Sequence, residues 1–406
     1  MKRRRRIGNK RPKNIIQADT ESFTDPSIKR SLREYALNIA GKTGFNDNIM
    51  TFAVSCLSIK SRIKLVKALY DDSKNHKNDD PMGRDFYEDA IDEIWKPDHL
   101  GNTIMRYINR KLCGFTMQKT GKIIYSFIEN EYRRTGKGEG TLGKKLTDLA
   151  EIFNLSSSDL TVLKLIYLAY TINNSTLNNI FDDTNYNEFV RLAGTATGLT
   201  PAEIRRSLSK SGMLVNCGII DNIDHTGRNF ISMDDTISEY LTGLSGKNLI
   251  EKYVRLERGK TLKPEDFSVK AEDTEIITDI LKCGKPCNIL LYGIPGTGKT
   301  EYAKTIAAAS GERVYSVRYG ETGSSDSRKS TDRIFALRVA INTVSEKGGI
   351  LIADEADFLL NTRYFFFDSG GPEKGWLNDL LDNSRARIIW ITNRTGSMEE
   401  STLRRF

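Results

Sequence analysis

Hydrophobic positions along the chain follow two different patterns, and the change between them falls near residue 250. Before that point apolar residues recur at helical spacing, as where Leu32, Tyr35 and Ile39 follow the N-cap candidate Asp25. From Phe267 onward, short β-branched runs alternate with longer helical segments. This order predicts a mainly α-helical region followed by an α/β domain with a parallel sheet and crossover helices.

The helical part divides further by composition. We predict a basic disordered tail over 1–20, a helical domain of unknown type over 21–143, and a second helical block over 144–251. The boundary near 143 follows a charged, glycine-rich stretch, and the charged segment 252–266 is predicted as a linker. The α/β domain then occupies 267–406, with strands expected at 288–292, 313–317, 349–353 and 387–392.

Inside the second helical block, a helix that begins at Thr200-Pro201 is followed by two short β-branched segments, which is the order of a winged-helix unit. One interpretation is DNA contact through Arg205, Arg206 and Lys210. The other is a small packing or docking module. The second is favoured, because the block lacks a densely basic helix.

The net charge of +8 is concentrated at the N-terminus. Eight Lys and Arg residues lie within residues 2–13 with no acid among them, which leaves 53 basic residues against 53 acidic ones. Such a tail suits nucleic acid, an anionic membrane or a targeting role, or it is a solvated extension. Five irregularly spaced cysteines favour a reducing compartment, and no apolar run approaches the roughly 20 residues that span a bilayer. We therefore expect a cytoplasmic protein without a membrane partner.

The strongest chemical signal fits the pattern G-x-x-x-x-G-K-[ST] at every position and consists of Gly293, Ile294, Pro295, Gly296, Thr297, Gly298, Lys299 and Thr300. A predicted strand precedes it, and a helical segment from Glu301 follows. Glycines let backbone N–H groups approach phosphate oxygens, and a helix start adds partial positive charge there. Lys299 can reach β- and γ-phosphates, and the Thr300 hydroxyl suits Mg²⁺. The sequence thus predicts a nucleotide site over 293–301.

Two further predicted strands end in polar side chains. The strand over 349–353 leads into Asp354 and Glu355, some 55 residues after Lys299. We assign Asp354 to Mg²⁺, usually through water, and Glu355 to the role of general base for an attacking water. Asp357 is interpreted as structural or as a helix cap. Asn393 follows the strand over 387–392, where its amide either orients the water or touches the γ-phosphate, unless it simply occupies a turn.

Arg404 and Arg405 follow Asn393 by 11 and 12 residues. An arginine here either reaches a neighbouring subunit's nucleotide and neutralises transition-state charge, or forms an ordinary charged helix end. The chain thus carries, in this order, the phosphate loop, a strand ending in an Asp-Glu pair, a strand ending in Asn393, and an arginine pair. This order resembles the AAA family of P-loop ATPases, within the AAA+ class, over 267–406. The stretches 374–381 and 388–394 look like bacterial members. More weakly, 144–243 looks like the helical and winged-helix-like prelude found before some of these modules, and 149–156 carries that similarity.

The resemblance implies a parallel sheet in strand order 5-1-4-3-2, ATP and Mg²⁺ as ligands, and homo-oligomers, typically hexameric rings that remodel protein or nucleic-acid complexes. Carried over position by position, it implies nucleotide and magnesium binding by Lys299 and Thr300, magnesium binding by Asp354, catalysis by Glu355, a sensor at Asn393, and arginine-finger candidates at Arg404 and Arg405.

Two departures from the family pattern change these expectations. The chain stops at Phe406, before the family's fifth strand and helical lid, so we expect a truncated product whose phosphate-loop strand lies at an open sheet edge. After the second strand, Tyr319-Gly320 is at best a shortened aromatic pore loop, so substrate threading is not predicted. The favoured function is an ATP-hydrolysing remodeller of protein complexes. The alternatives are a nucleic-acid-associated ATPase of the replication or transposition type and a nucleotide-binding adaptor without turnover.

Overall fold

The computed structural model describes residues 25–74, 81–136, 138, 140–171, 175–182, 184–209, 211–223, 231–243, 249–259, 261–319, 326–360, 374–396 and 398–406. The basic tail, Lys210 and Gly320 lie outside the described residues. The chain divides into two compact units. Unit 1 takes the described residues up to Thr147, with Ser156–Ser209 and Asn222–Met233, and unit 2 takes Asp148–Leu155, Lys210–Asp221 and Asp234–Phe406.

Up to residue 233 the described chain is almost entirely helical. Its helices are α1 (Pro26–Thr43), α2 (Asp47–Ser55), α3 (Ile59–Lys74), α4 (Pro81–Asp92), α5 (Pro97–Asn109), α6 (Met117–Arg134), α7 (Gly140–Phe153), α8 (Ser157–Ile166), α9 (Ser175–Phe181), α10 (Tyr186–Thr197), α11 (Pro201–Ser207) and α12 (Met213–Asn216). A π-helical turn at Tyr167–Thr171 follows α8. The strands β1 (Ile220–Ile223) and β2 (Ile231–Met233) form a two-stranded sheet.

Helix starts in this region follow the capping signals of the sequence. The Asp25 carboxylate accepts a hydrogen bond from Ser27 N at 2.8 Å, and Pro26 is the first residue of α1. Thr200 caps α11 in a capping box with Glu203. The two short strands predicted after α11 are present and pair with each other, but the identity of this region as a winged helix stays a prediction. Arg205, a DNA-contact candidate, donates to Asn187 Oδ1 at 3.1 Å.

A buried ion pair ties α1 and α6 to the start of α3. Arg33 Nη2 contacts Glu131 Oε2, and the two side chains are only 11% and 9% exposed. Both Glu131 oxygens also accept from Ser58 N, at 3.0 and 3.2 Å, and Oε1 accepts from the Ser58 hydroxyl. Because Ser58 directly precedes α3, the Glu131 carboxylate satisfies a backbone donor at the start of that helix.

The remaining elements belong to unit 2. They are α13 (Asp235–Thr242), α14 (Leu249–Tyr253), β3 (Val254–Leu256), a 3-10 turn (Pro264–Asp266), α15 (Ala271–Lys282), β4 (Cys287–Tyr292), α16 (Lys299–Ala309), β5 (Val314–Val317), α17 (Asp326–Lys347), β6 (Ile350–Ala353), α18 (Asp357–Leu360), α19 (Lys374–Asn383), β7 (Arg387–Thr392) and α20 (Glu400–Leu403). The bounds of β4 to β7 agree with the four predicted strands to within one residue, which confirms those predictions.

The sheet of unit 2 contains five described strands in the order β3-β5-β6-β7-β4. The last four are mutually parallel, with β5 on β6, β6 on β7 and β7 on β4. β4 therefore lies at one edge of the described sheet. One sheet face is covered by α15 and α16, and a buried cluster there includes Leu281, Ile306, Ile352 and Ile389. No helix in the described part of the chain is long and apolar enough to cross a membrane.

The strand β3 corrects two expectations. The segment 252–266, predicted as a linker, instead contributes a sheet strand, and the sheet is mixed rather than wholly parallel. β3 runs antiparallel to β5, with Val254 opposite Val317 and Leu256 opposite Tyr315. A strand of three residues with a charged centre is too short for a period-2 pattern to reveal it.

Aromatic packing explains why the predicted boundaries at 143 and 251 do not coincide with the two units. The ring of Phe335 in α17 lies 4.7 Å from the ring of Phe153 and 5.3 Å from that of Tyr253. Phe153 ends α7 and Tyr253 ends α14, so both segments bury aromatic side chains against α17. Parts of the block over 144–251 therefore belong to unit 2, while α8 to α11 belong to unit 1.

Candidate nucleotide site

The site forms where three neighbouring parallel strands end. In the register of the sheet, Tyr292 of β4 lies opposite Thr392 of β7, and Ala353 of β6 lies opposite Trp390. The residues that follow these strands therefore meet at one edge of the sheet, which is where open α/β sheets bind ligands.

Three glycines give the loop between β4 and α16 its shape. Gly293, Gly296 and Gly298 have φ values of 155°, 83° and 83°, a region that other residues rarely adopt. A Cβ on Gly296 would meet no atom within 4 Å, so backbone conformation rather than crowding calls for glycine there. Gly298 is the N-cap of α16, and the loop therefore leads directly into a helix N-terminus. This arrangement suits an anionic ligand.

Lys299 links this loop to the end of β7. Its Nζ donates to the carbonyl oxygens of Gly293 at 2.8 Å and Ile294 at 2.9 Å, and to Asn393 Oδ1 at 3.1 Å. The structure thus brings together the two residues that the sequence assigned to phosphate binding and to the sensor role. Thr297 Oγ1 donates to Ile294 O at 3.0 Å, which stabilises the turn of the loop.

Thr300 and Asp354 also meet, as the assignment of both to magnesium requires. The Thr300 hydroxyl donates to Asp354 Oδ2 at 2.7 Å, and Asp354 Oδ1 accepts from Glu355 N at 2.8 Å. Hydroxyl and carboxylate oxygens are the hard ligands that Mg²⁺ takes, so the donor set fits this ion. Among the described residues no group of three or more His, Cys, Asp or Glu side chains could hold a metal.

Glu355 adopts an unusual backbone conformation at the end of β6. Its φ is +50°, in the left-handed region, and its side chain is exposed. For a residue other than glycine this conformation costs roughly 1–3 kcal/mol and is concentrated at functional sites. The observation supports a functional role for this carboxylate.

Residues 289–406 match the model of the ATPase family associated with various cellular activities, abbreviated AAA. The match assigns an AAA domain to this part of the chain. The chain is 33% identical over 135 residues to an outer mitochondrial transmembrane helix translocase of Danio rerio, covering 30% of this chain and 33% of that protein. It is 28% identical over 171 residues to fidgetin-like protein 1 of Drosophila melanogaster, covering 38% and 30%. The chain thus spans about a third of the length of these relatives.

A third relative is ATPase family AAA domain-containing protein 3 of Xenopus tropicalis, which is 34% identical over 163 residues and covers 36% of this chain and 27% of that protein. These similarities confirm the resemblance to the AAA family. The resemblance to bacterial members in particular stays a prediction.

A residue of the AAA module whose role the sequence did not show is Asp357. Its Oδ1 accepts from the Thr392 hydroxyl at 2.8 Å and from Asn393 N at 2.9 Å, and its Oδ2 accepts from Asn393 Nδ2 at 3.3 Å. The sequence interpretation as a structural residue or helix cap missed these bonds to Asn393. The available signal was its position two residues after the Asp-Glu pair, beside a strand that ends in an amide.

The other candidates of the AAA module lie apart from this cluster. The carboxylate of Glu301 forms an exposed ion pair with Lys304 at 2.8 Å. Arg405 Nε lies 2.9 Å from Asp382 Oδ1. Arg404, which follows the last residue of α20, pairs with Glu400, the first residue of that helix. The arginine side chains therefore have their partners on α19 and α20 rather than on the phosphate loop.

Tyr319, the aromatic residue of the predicted shortened loop, is half-buried at the end of the described segment after β5. Its hydroxyl oxygen is buried, and burial raises the pKa of the phenol above its ordinary value. The guanidinium carbon of Arg333 lies 5.7 Å from the ring centroid. The expectation about substrate threading stays a prediction.

Proposed function

We propose that this chain is an AAA-type ATPase that binds ATP with Mg²⁺, hydrolyses it, and uses the reaction to remodel protein complexes. Two hydrogen bonds at the ends of three adjacent strands carry the proposal. One joins Lys299 to Asn393, and the other joins Thr300 to Asp354. Phosphate binding, metal binding and water orientation are thereby brought to one place.

The phosphate loop and Lys299 would bind the nucleotide. Backbone N–H groups at the start of α16 supply donors and partial positive charge, and the Lys299 ammonium adds a full charge. Lys299 now donates to two loop carbonyls, and it would exchange these bonds for phosphate oxygens. Thr300 and Asp354 would hold Mg²⁺, which when bound neutralises charge on the β- and γ-phosphates.

Glu355 and Asn393 would act on the attacking water. An ionised carboxylate accepts a proton as the water oxygen attacks the γ-phosphorus, and an amide next to it holds the water in line. Glu355 N is bonded to Asp354 Oδ1, so the base and the metal ligand are positioned by the same turn.

Exposure and ion pairing favour one of the two arginine-finger candidates over the other. The Arg405 side chain is 28% exposed, and it is held by Asp382 and by the Ser401 carbonyl. The Arg404 side chain is 73% exposed, and its partner Glu400 is 78% exposed. Exposed pairs of this kind contribute little to stability, so Arg404 is free to leave Glu400 for a neighbouring nucleotide. We assign the finger to Arg404 and a structural role to Arg405.

Replacing Arg404 by alanine is expected to lower ATP turnover at least about 100-fold without changing thermal stability, because a finger neutralises charge only in the transition state. Arg405→Ala is the matched variant and should mainly lower the melting temperature. Mixing Arg404→Ala subunits with Glu355→Gln subunits should restore measurable turnover, since some interfaces then combine an intact Arg404 with an intact Glu355. No recovery on mixing, together with unchanged assembly, would contradict a finger that acts across subunits.

Protein clients are favoured over nucleic acid by one relative in particular. The name of the Danio rerio protein describes a translocase of transmembrane helices, which are protein segments. The possible winged-helix unit and the basic tail, both predicted from the sequence, keep a nucleic-acid-associated ATPase as the alternative.

A further inference from the structure

We propose that Asp357 is a positioning residue that fixes the side-chain amide of Asn393 with its oxygen toward Lys299. This inference rests on the proposed function, because it names how the sensor of that site is oriented. Asp357 would touch neither nucleotide nor metal, and would act on the reaction only through Asn393.

The contacts of the Asp357 carboxylate all lie at the end of β7. It accepts from the Thr392 hydroxyl, from Asn393 N and from Asn393 Nδ2, at 2.8, 2.9 and 3.3 Å. One residue earlier, Ala356 N donates to Ile391 O at 2.9 Å, which fastens the loop after β6 to the same strand. The carboxylate therefore sits on a turn that is itself fixed to β7.

A helix cap does not account for these contacts. Asp357 is the first residue of α18, and no hydrogen bond joins its carboxylate to a backbone N–H of α18 within the described residues. Its carboxylate instead binds both the backbone and the side chain of Asn393. Hydrogen bonds to both the backbone and the side chain of Asn393 fix the orientation of its amide as well as its position.

The polarity of the two neighbours allows only one orientation of the Asn393 amide. An ionised carboxylate only accepts hydrogen bonds, so the amide must present Nδ2 to Asp357. An ammonium only donates, so the amide must present Oδ1 to Lys299, whose Nζ lies 3.1 Å away. Both constraints require the same orientation. Each hydrogen bond in the series Asp357–Asn393–Lys299 then joins one donor to one acceptor.

The orientation matters because an amide has one accepting and one donating end. With Oδ1 toward the phosphate loop, Asn393 offers an acceptor both to Lys299 and to a hydrogen of the attacking water. With the amide reversed, Nδ2 would face the ammonium of Lys299, and two donors would oppose each other. Asp357 thus determines which chemistry the sensor presents.

The test uses the full chain and the isosteric variant Asp357→Asn. Its oxygen can still accept from Thr392 and Asn393 N, but its NH₂ group then faces Asn393 Nδ2 and favours the reversed amide. We expect kcat for ATP to fall at least about 10-fold, KM to change less than about threefold, and the melting temperature to stay unchanged. Asp148→Asn is the matched control, because Asp148 accepts from a hydroxyl, that of Tyr240 at 2.8 Å, outside the site.

A second variant exchanges the two polar groups. Asn393→Asp alone places two carboxylates against each other and should lower kcat strongly. Combined with Asp357→Asn, the carboxylate at 393 again accepts from its neighbour and turns an oxygen toward Lys299. The kcat loss of the double variant should be at least about 10-fold smaller than the product of the two single losses. A loss equal to that product would overturn the proposal.

A measurement without turnover separates this proposal from the proposed function. The Asn393 side-chain amide can be observed by NMR after ¹⁵N labelling of asparagine and assigned by its loss in Asn393→Ser. Its Nδ2 protons should exchange with water at least about threefold more slowly in the wild type and in Asp148→Asn than in Asp357→Asn. Equal exchange rates would overturn the positioning role even if ATP is hydrolysed. Slower exchange in a protein that hydrolyses no ATP would retain the orientation and refute the proposed function.

Discussion

Replacing Glu355 by glutamine is expected to leave ATP binding intact and to slow hydrolysis at least about 100-fold. An amide of the same shape cannot accept the proton of the attacking water, and general-base catalysis contributes roughly 10²–10⁴-fold. The left-handed backbone at this position is equally strained in both variants, so stability should not change. Phosphate release at saturating ATP measures the loss of hydrolysis, and calorimetric titration with ATP measures the retained binding.

Glu346→Gln is the control for this change. Glu346 is exposed near the end of α17 and accepts from Asn342 Nδ2 at 3.1 Å, so it reports the effect of the same substitution in the same unit outside the site. Normal turnover in Glu355→Gln would show that the general base is a different residue. Loss of ATP binding in that variant would show that Glu355 holds the nucleotide rather than activating water.

The largest effect on stability is expected in unit 1, from Glu131→Gln. Glutamine keeps the shape of the side chain but leaves the buried Arg33 guanidinium without a counter-charge, and it places an NH₂ group against the donors of Arg33 or Ser58. Breaking a buried ion pair by removing one partner costs about 3–5 kcal/mol. Urea denaturation should show this loss as a lower midpoint for the helical unit.

Glu129→Gln, on the same helix α6, is the matched control. Glu129 pairs with Arg133 at 2.8 Å four residues later, and these side chains are 42% and 70% exposed. Exposed helical pairs contribute about 0.3–0.5 kcal/mol, so the midpoint should barely move. Equal losses in the two variants would mean that burial does not set the strength of the Arg33–Glu131 pair.

The strands β4 to β7 and the phosphate loop could be predicted from the sequence because their signals are local. Each strand is a short, largely apolar run, and the loop pattern lies within eight neighbouring residues. Parallel pairing then places the ends of β4, β6 and β7 side by side, which brings Lys299 to Asn393 across 94 positions of the chain. Fold and site are here coupled by topology, which sequence patterns indicate well.

What the sequence did not reveal depends on pairs of residues that are distant along the chain. β3 becomes a strand only because β5 offers it an edge, 59 or more positions later. Asp357 resembles a helix cap until β7 places Asn393 beside it. The packing of the Phe153 and Tyr253 rings against Phe335 likewise leaves no signal in the neighbouring sequence. This packing helps determine which segments belong to unit 2. In all three cases tertiary contacts decide the role of a residue.

The most direct test of the account is a calorimetric titration of Mg·ATP into the Glu355→Gln protein, with and without the additional change Lys299→Ala. The account predicts saturable binding in the first protein and at least about 100-fold weaker binding in the second, with unchanged melting temperatures in the absence of nucleotide. No binding to the well-folded Glu355→Gln protein, or equal affinity when Lys299 is removed, would contradict a nucleotide site at this loop.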